Sequence, residues 1–109
     1  MLPLFHKFAA VVRKCGPVTM IPQKTRVVFM QRVRFVAVYP RKEYLLAGIV
    51  LTSRQPHPRF RKIESVYPGA HVHTVRLESF ADLDGELAGW LSESYRSYGR
   101  QERLDGRKA

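Results

Sequence analysis

Thr25-Arg26-Val27-Val28-Phe29-Met30 and Val33-Arg34-Phe35-Val36-Ala37-Val38-Tyr39 repeat with a period of two, the period of a β-strand. In the first run Thr25, Val27 and Phe29 oppose Arg26, Val28 and Met30. In the second, Val33, Phe35, Ala37 and Tyr39 oppose Arg34, Val36 and Val38. Gln31-Arg32 between them predicts a tight connection, although it lacks the Asn-Gly or Asp-Gly signature of the commonest hairpins. With that pairing, Arg26 and Arg34 face the same surface.

Working outward, Val18 to Ile21 reads as a short strand before a Pro22-Gln23-Lys24 turn, and Pro40-Arg41-Lys42 turns the chain again. Tyr44 to Leu51 is apolar on both faces, which predicts a central strand covered by helices. Thr52 to Pro58, with two prolines, is a loop. Arg59 to Val66 is an irregular further strand, and Ala70 to Leu77 the last one after a Tyr67-Pro68-Gly69 turn. Before the strands, Leu4, Phe5, Phe8, Val11, Val12 and Cys15 form one helical stripe, stopped by Gly16-Pro17. A transit peptide competes for this acid-free amphipathic segment, whereas His6 and Lys7 interrupt it too early for a secretory signal. After the strands, Ser79 and Asp82 suggest a capping box opening a helix to about Tyr98, with Leu83, Leu87, Trp90, Leu91 and Ser94 inward. Gly85 and Gly89 would let that helix approach the sheet closely. The expected fold is α+β, with an antiparallel sheet of five or six strands, largely a meander, between terminal helices. Residues 1–98 form one domain and 99–109 a charged, frayed tail.

The chain of 109 residues carries a net charge of +10, concentrated in residues 1–62, where 13 Lys or Arg face Glu43 alone. Such a field favours an anionic partner. No apolar run approaches the roughly 18 residues of a membrane-spanning helix, which predicts a cytoplasmic chain without a membrane partner. Cys15 alone excludes an internal disulfide. It also lies on the apolar stripe, where a small buried side chain is expected rather than a nucleophile. Neither a Gly-x-Ser-x-Gly elbow nor a Gly-rich phosphate loop occurs, and the front of the chain lacks the carboxylates of a two-metal nuclease. No enzyme activity, cofactor or metal is expected. His71 and His73 share a strand face but lack further ligands, so an ordinary half-exposed face is expected there rather than a metal site.

The remaining signal is the basic set Lys24, Arg26, Arg32, Arg34, Arg41, Lys42, Arg54, Arg59, Arg61 and Lys62, interleaved with Phe35, Tyr39, Tyr44 and Phe60. Lys24, Arg26, Arg34, Arg41, Lys42, Arg59 and Arg61 are the expected phosphate contacts of a DNA or RNA binder without strong sequence readout. The aromatics fit base stacking, although strand aromatics more often build a core. The competing reading is a pocket for a small anionic ligand lined by Arg34, Tyr39, His71 and His73. An interaction domain with an exposed apolar patch is a third.

Several short motifs together resemble a bacterial family, the domain of unknown function family numbered 5655. They are Cys15-Gly16-Pro17, Ile21-Pro22-Gln23-Lys24-Thr25-Arg26-Val27, Arg34-Phe35, Tyr39-Pro40-Arg41-Lys42, His57-Pro58-Arg59-Phe60, Ala81-Asp82-Leu83-Asp84 and Trp90-Leu91. The resemblance spans Phe5 to Tyr98 and implies no activity or site residue. A more distant similarity to YdhG-like and frataxin-like α+β domains implies a helix–sheet–helix architecture.

Overall fold

The computed structural model describes residues 2–99; of the expected tail, everything past Gly99 lies outside the described residues. Helix α1 (Leu2–Arg13) buries Leu4, Phe8 and Val12, spaced by four, and ends where Gly16 takes φ 141°. Only a glycine fits there. A Cβ would stand 2.5 Å from the Tyr95 hydroxyl, which donates to the Pro17 carbonyl at 2.9 Å.

Six strands follow: β1 (Thr19–Pro22), β2 (Val27–Met30), β3 (Arg34–Pro40), β4 (Leu45–Leu51), β5 (Phe60–Tyr67) and β6 (Ala70–Leu77). They form one antiparallel sheet in the order β1-β2-β3-β4-β6-β5, a meander except that β6 lies between β4 and β5. Phe29 pairs with Val36 but Met30 pairs with Arg34, so Phe35 is an extra residue in β3. This bulge breaks the simple alternation expected from sequence. Phe35, Val36 and Val38 all join the core, while Ala37 and Tyr39 turn to the other face with Arg34.

The expected single C-terminal helix is three pieces. The Ser79/Asp82 capping box is real, but it closes only a 3-10 turn, Phe80–Asp82. Helix α2 (Gly85–Ser94) begins afresh with Asp84 as its N-cap, whose Oδ1 accepts the Leu87 N–H at 3.0 Å, and a π-helical turn (Tyr95–Gly99) follows. Leu87, Trp90, Leu91 and Ser94 are buried, as the spacing predicts. Gly85 and Gly89 do not approach the sheet; a Cβ at either meets nothing within 4 Å, so they lie on the outer side of the helix.

Both helices cover the same sheet face. The core between them joins Phe8 and Phe29 (ring centroids 6.0 Å apart) to Phe35 and Tyr95 (5.6 Å, edge-to-face) and to Ile49, Leu51, Val75 and Leu91. The single proton of the buried Ser94 hydroxyl is shared between the carbonyls of Val50 and Phe35 (3.3 Å). A polar group at the heart of the core thereby satisfies the carbonyl of the bulge residue. The double-sided apolarity of β4 has a different origin from the one expected. Leu45, Ala47, Ile49 and Leu51 face the helices, whereas Leu46, Gly48 and Val50 floor a face that no helix covers.

Candidate functional site

On the helix-free face the register places Val28, Ala37, Gly48, Thr74 and Lys62 side by side across β2, β3, β4, β6 and β5. Beside this row run Tyr39, Leu46 and Arg76 in one direction, and Val50, Val72 and Glu64 in the other. Because the middle positions carry little or no side chain, the face is concave there. The concavity holds about 360 Å³ and is lined by Val28, Ala37, Leu46, Gly48, Val50, Val72 and Thr74, with Arg26, Arg34, Tyr39, Arg41, Lys62 and Glu64 around them. An apolar floor thus meets four cations and one acid.

Antiparallel pairing explains why those cations meet. The β1–β2 and β3–β4 turns fall at the same end of the sheet, which brings Arg26 and Arg41 together with the exposed Lys24 and Lys42 in the turns themselves. The bulge at Phe35 turns Arg34 toward the same face from the opposite end. Among the described residues no carboxylate pairs with Arg26, Arg34 or Arg41, while Lys62 stands 3.6 Å from Glu64 on the rim. Arg26 is held in place by neutral partners. Its Nε donates to Gln23 Oε1 at 2.6 Å, and its Nη1 to the Tyr39 hydroxyl at 3.1 Å. Nearby, the Arg76 guanidinium lies 3.9 Å above the Tyr44 ring while its Nε reaches Glu78 at 2.5 Å. Of the four interleaved aromatics, Tyr39 lines the concavity, whereas Phe35 and Phe60 are core residues.

The other expected site residues are not brought to this face. Arg61 is exposed at a second bulge, between Phe60 and Lys62, outside the lining. Arg59 is spent internally: Nη1 donates to Asp84 Oδ1 (3.0 Å) and Glu86 Oε1 (3.1 Å), and Nη2 to the Asp82 carbonyl (2.9 Å). Burial alone would pull its pKa down, but the carboxylates of Asp84 and Glu86 hold it above the ordinary value. Asp84 in turn is held below the usual carboxylate range by the Leu87 N–H and then by Arg59. His57 completes the cluster, with Nε2 at 2.8 Å from Glu86 and Nδ1 accepting the Arg59 N–H. This is a clasp between the β4–β5 loop and the start of α2, roofed by Trp90, whose ring centroid is 5.6 Å from the Arg59 guanidinium. The motifs His57-Pro58-Arg59-Phe60, Ala81-Asp82-Leu83-Asp84 and Trp90-Leu91 therefore converge in space as structure.

His71 and His73 lie on the helix-covered side of β6, away from Tyr39 and Arg34, so the four do not form one pocket. His73 is fully buried rather than half-exposed; its Nε2 accepts the Gln55 N–H at 3.0 Å, and its Nδ1 meets the His71 carbonyl at 2.8 Å. That pattern fixes one neutral tautomer, with the proton on Nδ1. Burial pushes its pKa below the ordinary value, against the opposing pull of the carbonyls of His71 and Ile49. Cys15 is half-buried, and burial pushes its thiol up.

Among the described residues, no three His, Cys, Asp or Glu side chains are grouped to hold a metal ion, and no helix is long and apolar enough to cross a membrane. The exposed large apolar residues are Val66, in β5 beside the first residues of β6, and Phe80, past the far end of that eight-residue strand, so they do not form one patch. The concave cationic face is what remains for recognition. It can accept anionic groups at its rim and apolar or flat surface at its floor.

No curated protein and no solved structure matches the chain. A family model described as Domain of unknown function (DUF5655) matches residues 1–97, and the chain belongs to that family.

Proposed function

We propose that this DUF5655 chain binds nucleic acid through the helix-free face of its sheet, with backbone phosphates at Arg26, Arg34, Arg41 and Lys62. Lys24 and Lys42 extend the same field from the adjoining turns. The observation that carries this reading is the convergence of Arg26, Arg34 and Arg41 on one concave surface without a carboxylate partner among the described residues. Unneutralised guanidinium groups that share one face raise its positive potential, which attracts phosphates, and phosphates bound there release their counterions. The test is retention of labelled DNA and RNA by the unaltered chain and by the Arg26→Glu/Arg34→Glu/Arg41→Glu variant. Retention is lost in the variant; unchanged retention overturns the assignment.

A small anionic ligand is the second reading, favoured by the volume of about 360 Å³, which is within the range of ligand pockets. It differs in its salt response. A single small anion in a pocket keeps its affinity at moderate salt, whereas a polymer loses affinity in proportion to the phosphates contacted.

A further inference from the structure

The geometry points to a single strand, not a duplex, as the nucleic acid bound, with one unpaired base seated in the concavity between Tyr39 and Val72; this rests on the nucleic-acid assignment above. A duplex presents a convex surface of phosphates, with its base faces stacked inside. Against it, the cations at the rim would engage but the floor would stay empty. Val28, Ala37, Leu46, Gly48, Val50 and Val72 offer that floor no charge. Leaving it in water wastes apolar surface, and a base face is the apolar surface that an unpaired nucleotide exposes.

The depth comes from particular residues. Ala37 and Thr74 flank Gly48 in register, and the position of a Gly48 Cβ lies 3.1 Å from a Val72 methyl. Any larger side chain at Ala37 or Gly48 therefore fills the seat. Tyr39 supplies an aromatic wall, and its hydroxyl is tethered by Arg26, so the ring is already placed before a base arrives. Successive phosphates of a strand crossing the sheet meet Arg26 and Arg41 at one end and Arg34 at the other, with the seated base turned inward between those ends.

Two probes of equal length and charge separate base from phosphate: oligothymidylate and the same strand with abasic sites. The unaltered chain is expected to bind oligothymidylate about tenfold more tightly than the abasic strand, the usual effect of stacking one base. Ala37→Leu, which fills the seat without touching a cation, abolishes that preference and leaves the salt dependence as it was. Equal affinity of the unaltered chain for the two strands overturns the proposal, and needs no variant to fold. So does a duplex bound as tightly as the single strand. If base preference is absent while the triple Arg→Glu variant still loses binding, the face binds phosphate alone and the nucleic-acid assignment stands. If that variant binds normally, the assignment itself falls.

Discussion

Arg34 and Arg59 are equivalent on composition, yet the structure gives them opposite duties, and replacing each by alanine separates those duties in two assays. Arg59 makes charge-assisted contacts with Asp84, Glu86 and the Asp82 carbonyl, with its side chain 23% exposed. Hydrogen bonds to charged groups contribute about 1.5–3 kcal/mol. The two carboxylates are 48% and 42% exposed, so they rehydrate once abandoned, and the lower part of that range applies. Arg59→Ala should therefore cost about 2 kcal/mol, a fall in melting temperature of about 8–16 °C for a domain this small. Arg59→Lys recovers only part, because an ammonium cannot hold three acceptors in a planar fork. Arg34→Ala, exposed at the rim, should change stability by less than about 0.5 kcal/mol. Binding reverses the order. If Arg26, Arg34, Arg41 and Lys62 each contact one phosphate of a single strand, log K falls with log salt at a slope of about −2.8. Affinity then drops about 50-fold between 50 and 200 mM salt. Arg34→Ala lowers the slope to about −2.1 and the drop to about 20-fold, while Arg59→Ala leaves both where they were. Thermal unfolding and fluorescence anisotropy at the two salt concentrations read these outcomes. A stable Arg59→Ala with a shallower slope refutes the division, as does an Arg34→Ala variant that melts early with its slope intact.

Two other perturbations test how the face is held. His73 is buried with its pKa below the ordinary imidazole value of about 6.5, so below that pH the unfolded chain binds a proton that the folded chain resists. Stability is present above that pH and is lost as pH falls toward the depressed folded value; His73→Gln should flatten this dependence in urea titrations between pH 7 and 5, and an unaltered slope refutes the assignment. Ser94→Ala removes the donor that serves the Phe35 and Val50 carbonyls in the core and should cost about 1–3 kcal/mol in chemical denaturation. A cost near zero would mean that the bulge does not depend on that hydroxyl.

The strands were legible because a sheet with one buried face writes its period into the sequence: Ala70–Leu77 falls where alternation places it, and the first two hairpins within a residue or two. The C-terminal helix was less legible for a local reason. Ser79 and Asp82 satisfy each other's backbone as a capping box should, but such a box can close a single turn as well as open a helix. The true start depends on Asp84, whose second role is to receive Arg59 from 25 residues earlier. No local pattern carries that information. Gly85 and Gly89 show the same limit, since a small residue permits close approach without saying which side of the helix faces the sheet.

For the site, the sequence reveals the surplus of cations and a shared face for Arg26 and Arg34, but not that Arg59 and Arg61 stay outside it, and the decisive step for Arg34 is one inserted residue. In an unbroken strand Arg34 would share its face with Val36 and Val38, which are core residues, and its guanidinium would have to be buried or the strand displaced. The extra residue at Phe35 reverses that parity and sets Arg34 on the open face that Arg26 shares, at the opposite end of the sheet. The Phe35 carbonyl at the bulge lies 3.3 Å from the Ser94 hydroxyl, a donor that comes from far along the chain on α2 and also reaches the Val50 carbonyl. Ser94 is a polar residue on an apolar helix face. Its position follows from the bulge, and the bulge accounts for the cationic rim, so a buried hydroxyl on one side of the sheet supports the charge arrangement on the other.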